Sequence, residues 1–444
     1  MFTRYIPKKS NTKKTVPLTD ITLFKSCEVL LADDRRQRLI SDIQKNCGFE
    51  PDRFTLLHAT LIESLIKHLQ LLPETANSYY AHLGGMLDNA LNRTEAAMAL
   101  FRQFVIVGAK EQYSEDQKLW AFALFSAALL QGIGKLYVDF TIKRHDKSGK
   151  IIAQWNPLLD ALTAEGAGYT YTFEKETSVD FRKRLNLLIA KLLMSEEGFA
   201  WVASDSKVLA VWLALLNEDY ASAGTLGALL IRADGIALRR YFQLHVEQGR
   251  SHLPARKGSM PFAGGVPLSV DERSNRAGME FLQWLYEALE AGKLVFNQPP
   301  LVISRGGVVL SSDIFKMFLK QSPLYKTWIA VQNGLLSLGL HEVGPEGQVE
   351  FRVENAAEGS SAIEGIILKN FAVVLPEQVH FLQVAQATNL ELPAVEFIHQ
   401  MQADQSIITQ PTLQNSLLHV AQDGTWQEVS IESAALAHRV TTRG

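Results

Sequence analysis

The sequence predicts a mainly α protein: a long helical N-terminal domain carrying one small hairpin, then an α+β domain of winged-helix-like pattern. Three observations predict it. Residues 20–250 hold long Ala- and Leu-rich segments whose apolar positions recur every three or four residues, the helical period. Residues 250–270, "RSHLPARKGSMPFAGGVPLSV", carry three prolines and three glycines and read as a linker. Beyond 270, short alternating strands are mixed with helices. The expected layout is a basic tail at 1–19, a helical domain at 20–250, a linker at 251–270, an α+β domain at 271–400 and a C-terminal tail at 401–444.

Each element follows from its residues. Residues 1–17 hold Arg4, Lys8, Lys9, Lys13 and Lys14 and no acid; they read as a solvated tail or as a phosphate-contacting arm. "LLHATLIESLIKHLQLL" places Leu57, Leu61, Leu65, Leu69 and Leu72 on one stripe, and Pro73 ends that helical region. "HLGGMLDNALNRTEAAMALFRQFVI", "QKLWAFALFSAALL", "FRKRLNLLIAKLL", "SKVLAVWLALL" and "AGTLGALLIRADGIALRRYF" are further helices. "YVDFTIKRHDKSGKIIAQW" (137–155) is the exception: Val138, Phe140 and Ile142 alternate ahead of a Ser-Gly turn, as in a hairpin. In the second domain, Phe281, Trp284, Leu285, Ala288 and Leu289 share a helical face. "LVISRGGVVL" is a hairpin around Arg305-Gly306-Gly307. Ser311, Ser312 and Asp313 cap the next helix. "QVEFRV" and "EGIILKNFAVVL" supply strands, and residues 401–444 read as a polar tail with one short helix.

Composition bounds the function. The chain has 444 residues, enough for two or three domains. At 47% hydrophobic and 20% charged it is globular. A net charge of −3 gives no global attraction to nucleic acid. Two cysteines, Cys27 and Cys47, make neither a disulfide framework nor a metal-ligand spacing. No apolar run reaches the ~18 residues of a membrane span, and the N-terminus lacks a signal pattern. The expected location is the cytoplasm, without membrane contact.

The string "AALLQGIGK" (127–135) differs from A-L-L-H-D-I-G-K, typical of HD-type phosphohydrolases, chiefly at the adjacent metal-binding His and Asp. With "LQLLPETANSYYAHLGGMLDNAL" (69–91), "YVDFTIKRHDKSGKIIAQWNPLLDAL" (137–162), "IRADGIALRR" (231–240) and "FLQWLYEALEAGKLVFNQPPLVISRGGVVLSSDIF" (281–315), it carries a resemblance. In that order these strings resemble the TraI-type relaxase/helicase-like proteins of integrating conjugative elements, the Mob-H class. The resemblance implies an HD-like helical N-terminal domain and a winged-helix-like C-terminal domain.

It also implies a degenerate metal site. The family's paired histidines fall on Tyr79 and Tyr80, the next histidine on Asn89, and the His-Asp pair on Gln131 and Gly132; only the late aspartate is kept, as Asp234. These residues are poor divalent-metal donors, so no metal, cofactor or catalytic residue is expected. Gly84-Gly85 and Gly134-Lys135 remain, as backbone packing requires. The one His-Asp dipeptide, His145-Asp146, sits in a charged stretch and reads as a solvated turn. His58, His68 and His82 read as core or rim histidines, His82 within reach of the altered pocket. No P-loop or G-x-S-x-G string is present. Tyr79-Tyr80 as a nucleophile pair lacks the histidine cluster that chemistry needs.

The resulting expectation is a non-catalytic TraI-like component of conjugative DNA transfer, working through DNA or protein partners of a transfer complex. Two alternatives stand beside it: an active relaxase or phosphodiesterase with an altered site around Asp234, and a structural protein-interaction module. For DNA the candidate contacts are Arg305 at the hairpin tip and Lys316 and Lys320 one turn apart on the next helix, with Lys326 just beyond. They would give weak, backbone-dominated binding.

Overall fold

The computed structural model describes residues 21–104, 113–175, 177–251, 270–294, 300–304, 307–322, 324–344, 347–353, 363–369, 371–374, 381–383, 406–408, 416–420 and 426–430. The N-terminal module contains α1 (Cys27–Leu31), α2 (Asp34–Cys47), α3 (Pro51–Phe54), α4 (Thr60–Leu69), α5 (Gly85–Phe104) and α6 (Glu115–Leu130). After α7 (Lys135–Val138) come α8 (Val179–Leu193), α9 (Glu196–Ala203), α10 (Ser206–Leu216) and α11 (Tyr220–Ser251). A π-turn, Thr55–Ala59, joins α3 to α4.

The boundaries follow cap chemistry. Asp33 accepts the Arg35 and Arg36 amides at the start of α2, which ends on Gly48 at φ +73°. Ser114 and Gln117 form a capping box on α6, and Ser178, Ser195 and Asp205 cap α8, α9 and α10. Every residue of α6 from Lys118 to Leu130 is buried. A helix apolar on all sides has to be surrounded; α5, α10, α9, α4 and α2 pack around it. The stretch Glu115–Val138 is long and apolar enough to cross a membrane, but 78% of its apolar window is buried inside the fold.

The expected hairpin forms as β2 (Phe140–His145) and β3 (Ile151–Gln154). It is half of a larger element. β4 (Gly168–Phe173) pairs with β2, and β1 (Thr22–Leu23) with β4, giving an antiparallel sheet of order β1-β4-β2-β3. The alternation in "GYTYTF" is its sequence trace. This sheet corrects the reading of His145 as solvated. It pairs with Gly168, is fully buried, and its ring nitrogens meet the Gly149 carbonyl at 3.2 Å and the Thr170 hydroxyl at 2.9 Å. Asp146 does sit in the turn, accepting from the Ser148 and Lys150 amides.

The C-terminal module runs α12 (Val270–Glu290), β5 (Leu301–Ser304), β6 (Gly307–Ser311), α13 (Ser312–Gln321), α14 (Trp328–Ser337), β7 (Glu350–Val353) and β8 (Ile363–Leu368), then a buried 3-10 turn, Phe371–Val374. Its sheet has the order β5-β6-β8-β7. α12 and α14 pack closely because both present glycine: a Cβ on Gly278 would lie 2.2 Å from the Gly334 carbonyl oxygen. Beyond the module, β9 (Phe381–Gln383), β10 (Ser406–Ile408), β11 (Ser416–Val420) and β12 (Trp426–Ser430) form a third antiparallel sheet. Strands thus occupy part of the stretch expected to be a tail with a short helix. The linker expectation for 251–270 and the N-terminal tail fall largely outside the described residues.

His58, on the π-turn, is fully buried with neither ring nitrogen hydrogen-bonded. Phe49, Phe54, Phe122 and Phe125 surround it, with ring centroids 4.4 to 5.2 Å away. Burial pushes its pKa down to about 3. The folded protein therefore holds it neutral, while the unfolded chain takes up a proton below about pH 6.5. Stability tied to His58 is complete above that pH and falls as pH drops toward 3. His58→Leu should flatten this loss. Between pH 6.5 and 4.5 the wild type is expected to lose about 2–3 kcal/mol more than the variant at ~1.4 kcal/mol per unit, measured by urea denaturation. Parallel curves would refute the assignment.

Candidate functional site at the end of α6

α6 ends inside the protein, so its last carbonyls lack water and need internal donors. Arg93, on the α5 face turned toward α6, supplies them. It is 5% exposed. Its Nε donates to the Ala128 carbonyl at 2.8 Å and its Nη2 to the Gln131 carbonyl at 3.0 Å. Its Nη1 lies 3.5 Å from Asp234 Oδ1 on α11. A cation at a helix C-terminus also meets the favourable end of the helix dipole.

Of the residues singled out from the sequence, Gln131 and Asp234 meet this guanidinium directly. Asn89 lies one turn before Arg93 on α5, buried, with Oδ1 lacking a hydrogen-bond partner. The Gln131 amide is bonded to the Tyr220 hydroxyl, and its Oε1 has no partner. Gly132 takes φ +76°, which lets the chain turn from α6 into α7. Just past that turn Lys135 is ion-paired with Glu74. Burial opposes the lysine's charge, yet the Glu74 carboxylate raises its pKa overall. Asn186 locks the same turn, accepting the Gly134 amide at 2.7 Å and donating to the Leu216 carbonyl at 2.9 Å.

Tyr79 and Tyr80 lie on the segment between α4 and α5. Tyr80 is 1% exposed, at φ +49°, and its hydroxyl donates to the Ala237 carbonyl at 2.9 Å. It belongs to the core of the C-terminal module, packed 4.4 Å from the Tyr241 ring, and Tyr79 packs against the same core. Burial raises the pKa of both phenols, the opposite of what a phenolate nucleophile needs. The junction continues along α11 and through the loop. Ser78 Oγ donates to the Leu338 carbonyl at 2.8 Å, and a Cβ on Gly235 would lie 2.4 Å from the Ala372 carbonyl carbon. Gly235 follows Asp234 directly, so the C-terminal module closes against the edge of the pocket.

The other histidines take separate places. His82 meets Asp88 at 2.7 Å, and Arg36 Nε donates to the same carboxylate at 2.7 Å. Burial opposes ionisation of Asp88, but His82 and Arg36 outweigh it and lower its pKa. His68 is bonded to the Ser64 carbonyl within its own helix. Among the described residues, no three His, Cys, Asp or Glu side chains come together as a metal site. Around this turn the Asp234 carboxylate faces Arg93 and the Glu74 carboxylate is paired with Lys135, and the remaining amide oxygens are poor donors for a divalent ion. Sequence reasoning missed Arg93, Glu74 and Tyr220, and it read Lys135 as backbone packing where the side chain forms an ion pair. A signal was present: Asn92, Arg93, Thr94 and Glu95 are four consecutive polar residues between apolar stretches of one helix, and the structure buries all four.

On the C-terminal module, Lys316 and Lys320 are exposed on α13. Lys316 is tied to Asp313 at 2.8 Å. Arg305 lies outside the described residues.

A helical module with an arginine-filled pocket, docked against a small α+β module, is a two-module, mainly α protein. Residues 21–251 match the TraI_2 family model, described as "Putative helicase", and residues 276–386 the TraI_2_C model, described as "Putative conjugal transfer nickase/helicase TraI C-term". The chain belongs to this TraI-type conjugal transfer family. No curated protein matches it.

Tyr80→Phe removes one buried hydrogen bond and should cost about 1 kcal/mol. Tyr80→Ala also empties the junction and should cost about 3–5 kcal/mol, as for buried aromatics. Denaturant titration reads both. A change within error for Tyr80→Ala would mean that the junction does not depend on this ring.

Proposed function

We propose that this chain is a catalytically silent member of its family, a binding component of conjugative DNA transfer with an HD-like first module. The observation that carries this reading is the use of the altered positions. Tyr79 and Tyr80 join the two modules, and the carbonyl of Gln131 and the carboxylate of Asp234 face Arg93. Each position where the resemblance implies a metal ligand takes part in packing or offers no donor cluster.

The order α12, β6, α13, α14, β7, β8, with β8 between β6 and β7, supports reading the second module as winged-helix-like. In that reading the groove-facing helix is α14 and the wing is the β7–β8 hairpin, on the far side of the sheet from β5–β6. α14, "WIAVQNGLLS", has no Lys, Arg or His, and Ile329, Ala330 and Asn333 are exposed on it. That surface suits a protein partner better than a DNA groove, leaving DNA a phosphate contact along Lys316 and Lys320.

Two measurements test this. After dialysis against manganese, the purified protein should retain far less than one metal per chain. Stoichiometric metal would overturn the silent reading. For any duplex DNA binding, Lys316→Ala with Lys320→Ala should flatten the log–log salt slope by about one unit. Two free phosphate contacts would give about two, but Lys316 already has Asp313. A drop of two units would restore α13 as a full DNA contact.

A further inference from the structure

We propose that Arg93 is the resident cation of the pocket: it holds α5, the end of α6 and α11 together, and its charge makes the pocket refuse a divalent metal. This rests on the silent reading above and names what keeps the site silent.

The guanidinium meets three segments at once: the Ala128 carbonyl inside α6, the Gln131 carbonyl just beyond it, and Asp234 on α11. A divalent ion bound through Asp234 and the Gln131 carbonyl would compete with the guanidinium for those oxygens and face its permanent positive charge. Arginine does not lose that charge at any physiological pH, and a site this buried screens it weakly. Missing donors are therefore only half of the block. The other half is a cation that has replaced the ion in its structural task. The geometry also explains why Asp234 remains while other donors are gone. Asp234 faces Arg93, and replacing it would leave the buried guanidinium without its carboxylate. Gly132 can stay glycine because the new arrangement uses the backbone of Gln131 and asks nothing of its neighbour's side chain.

The test restores ligands with and without the arginine. Asn89→His with Gln131→His, alongside native Asp234, gives two imidazoles and a carboxylate, a set suited to manganese, iron or nickel. This variant is made once with Arg93 and once with Arg93→Gln. Bound metal is counted by mass spectrometry after equilibrium dialysis against manganese, and melting temperature is read with and without the metal. The Arg93-containing variant is expected to stay metal-free with an unchanged melting temperature. The Arg93→Gln variant should bind manganese at least tenfold more tightly and melt higher in its presence, because the ion takes over the arginine's task. The melting shift is readable even if the metal-free variant is poorly folded. Equal metal content in the two variants, high or nil, overturns the proposal. Metal in the wild-type chain would instead overturn the silent reading itself, so the two failures are distinguishable.

Discussion

The constraint on which the fold depends is the complete burial of α6. A helix that presents Trp120, Phe122, Phe125, Leu129 and Leu130 on successive faces can exist in water only inside a shell of other helices. That shell removes apolar surface from water, the dominant favourable term in folding. It also moves the end of α6 away from solvent, where exposed carbonyls would ordinarily be hydrated. Carbonyls buried without partners would cost about 1–3 kcal/mol each. The pocket at Gln131 is thus a structural necessity before it is a chemical site. Something with several donors, or a cation, has to stand there. In this chain it is Arg93.

The pocket is tied to the second module by the same helix that completes it. α11 brings Asp234 to Arg93 and, one residue later, Gly235 to Ala372 of the buried 3-10 turn. The loop after α4 brings Tyr80 to Ala237 on that helix and sends Ser78 to the end of α14. One hydrophobic cluster accordingly contains Tyr80, Leu238, Tyr241 and Phe242 from the first module with Phe281, Phe315 and Ala372 from the second. The two modules share this core, and α11 carries residues of both the Arg93 site and the junction.

Local features were legible in the sequence and contacts between distant segments were not. The helices of the first module, the hairpin near 137–155 and the start of the second module at "FLQWLYEALEAGKL" follow from period, caps and turn residues, all local signals. β1 and β4 are far apart in the chain, pairing at Thr22 and Tyr169, and a two-residue strand carries no period of its own. His145 looked solvated because its charged neighbours did, yet its pairing with Gly168 buries it. The hairpin at 301–310 was legible, but its place was not. Only the sheet order separates it from β7–β8.

Arg93 is the instructive case. On the reading proposed above, the ligand positions Tyr79, Tyr80, Asn89, Gln131 and Gly132 lack donors. They do not show what now neutralises the partners left behind. Losing imidazoles and an aspartate would leave Asp234 and the Ala128 and Gln131 carbonyls around a hole lined with acceptors. Such a hole is unstable when dry, and a cation is its natural complement. The acceptors at the end of α6 therefore point to a buried donor on a neighbouring helix. On α5 the residue that serves two carbonyls and a carboxylate together is Arg93, whose fork carries five N–H groups. On the reading proposed above, the absent ligands and the arginine are two sides of one electrostatic balance.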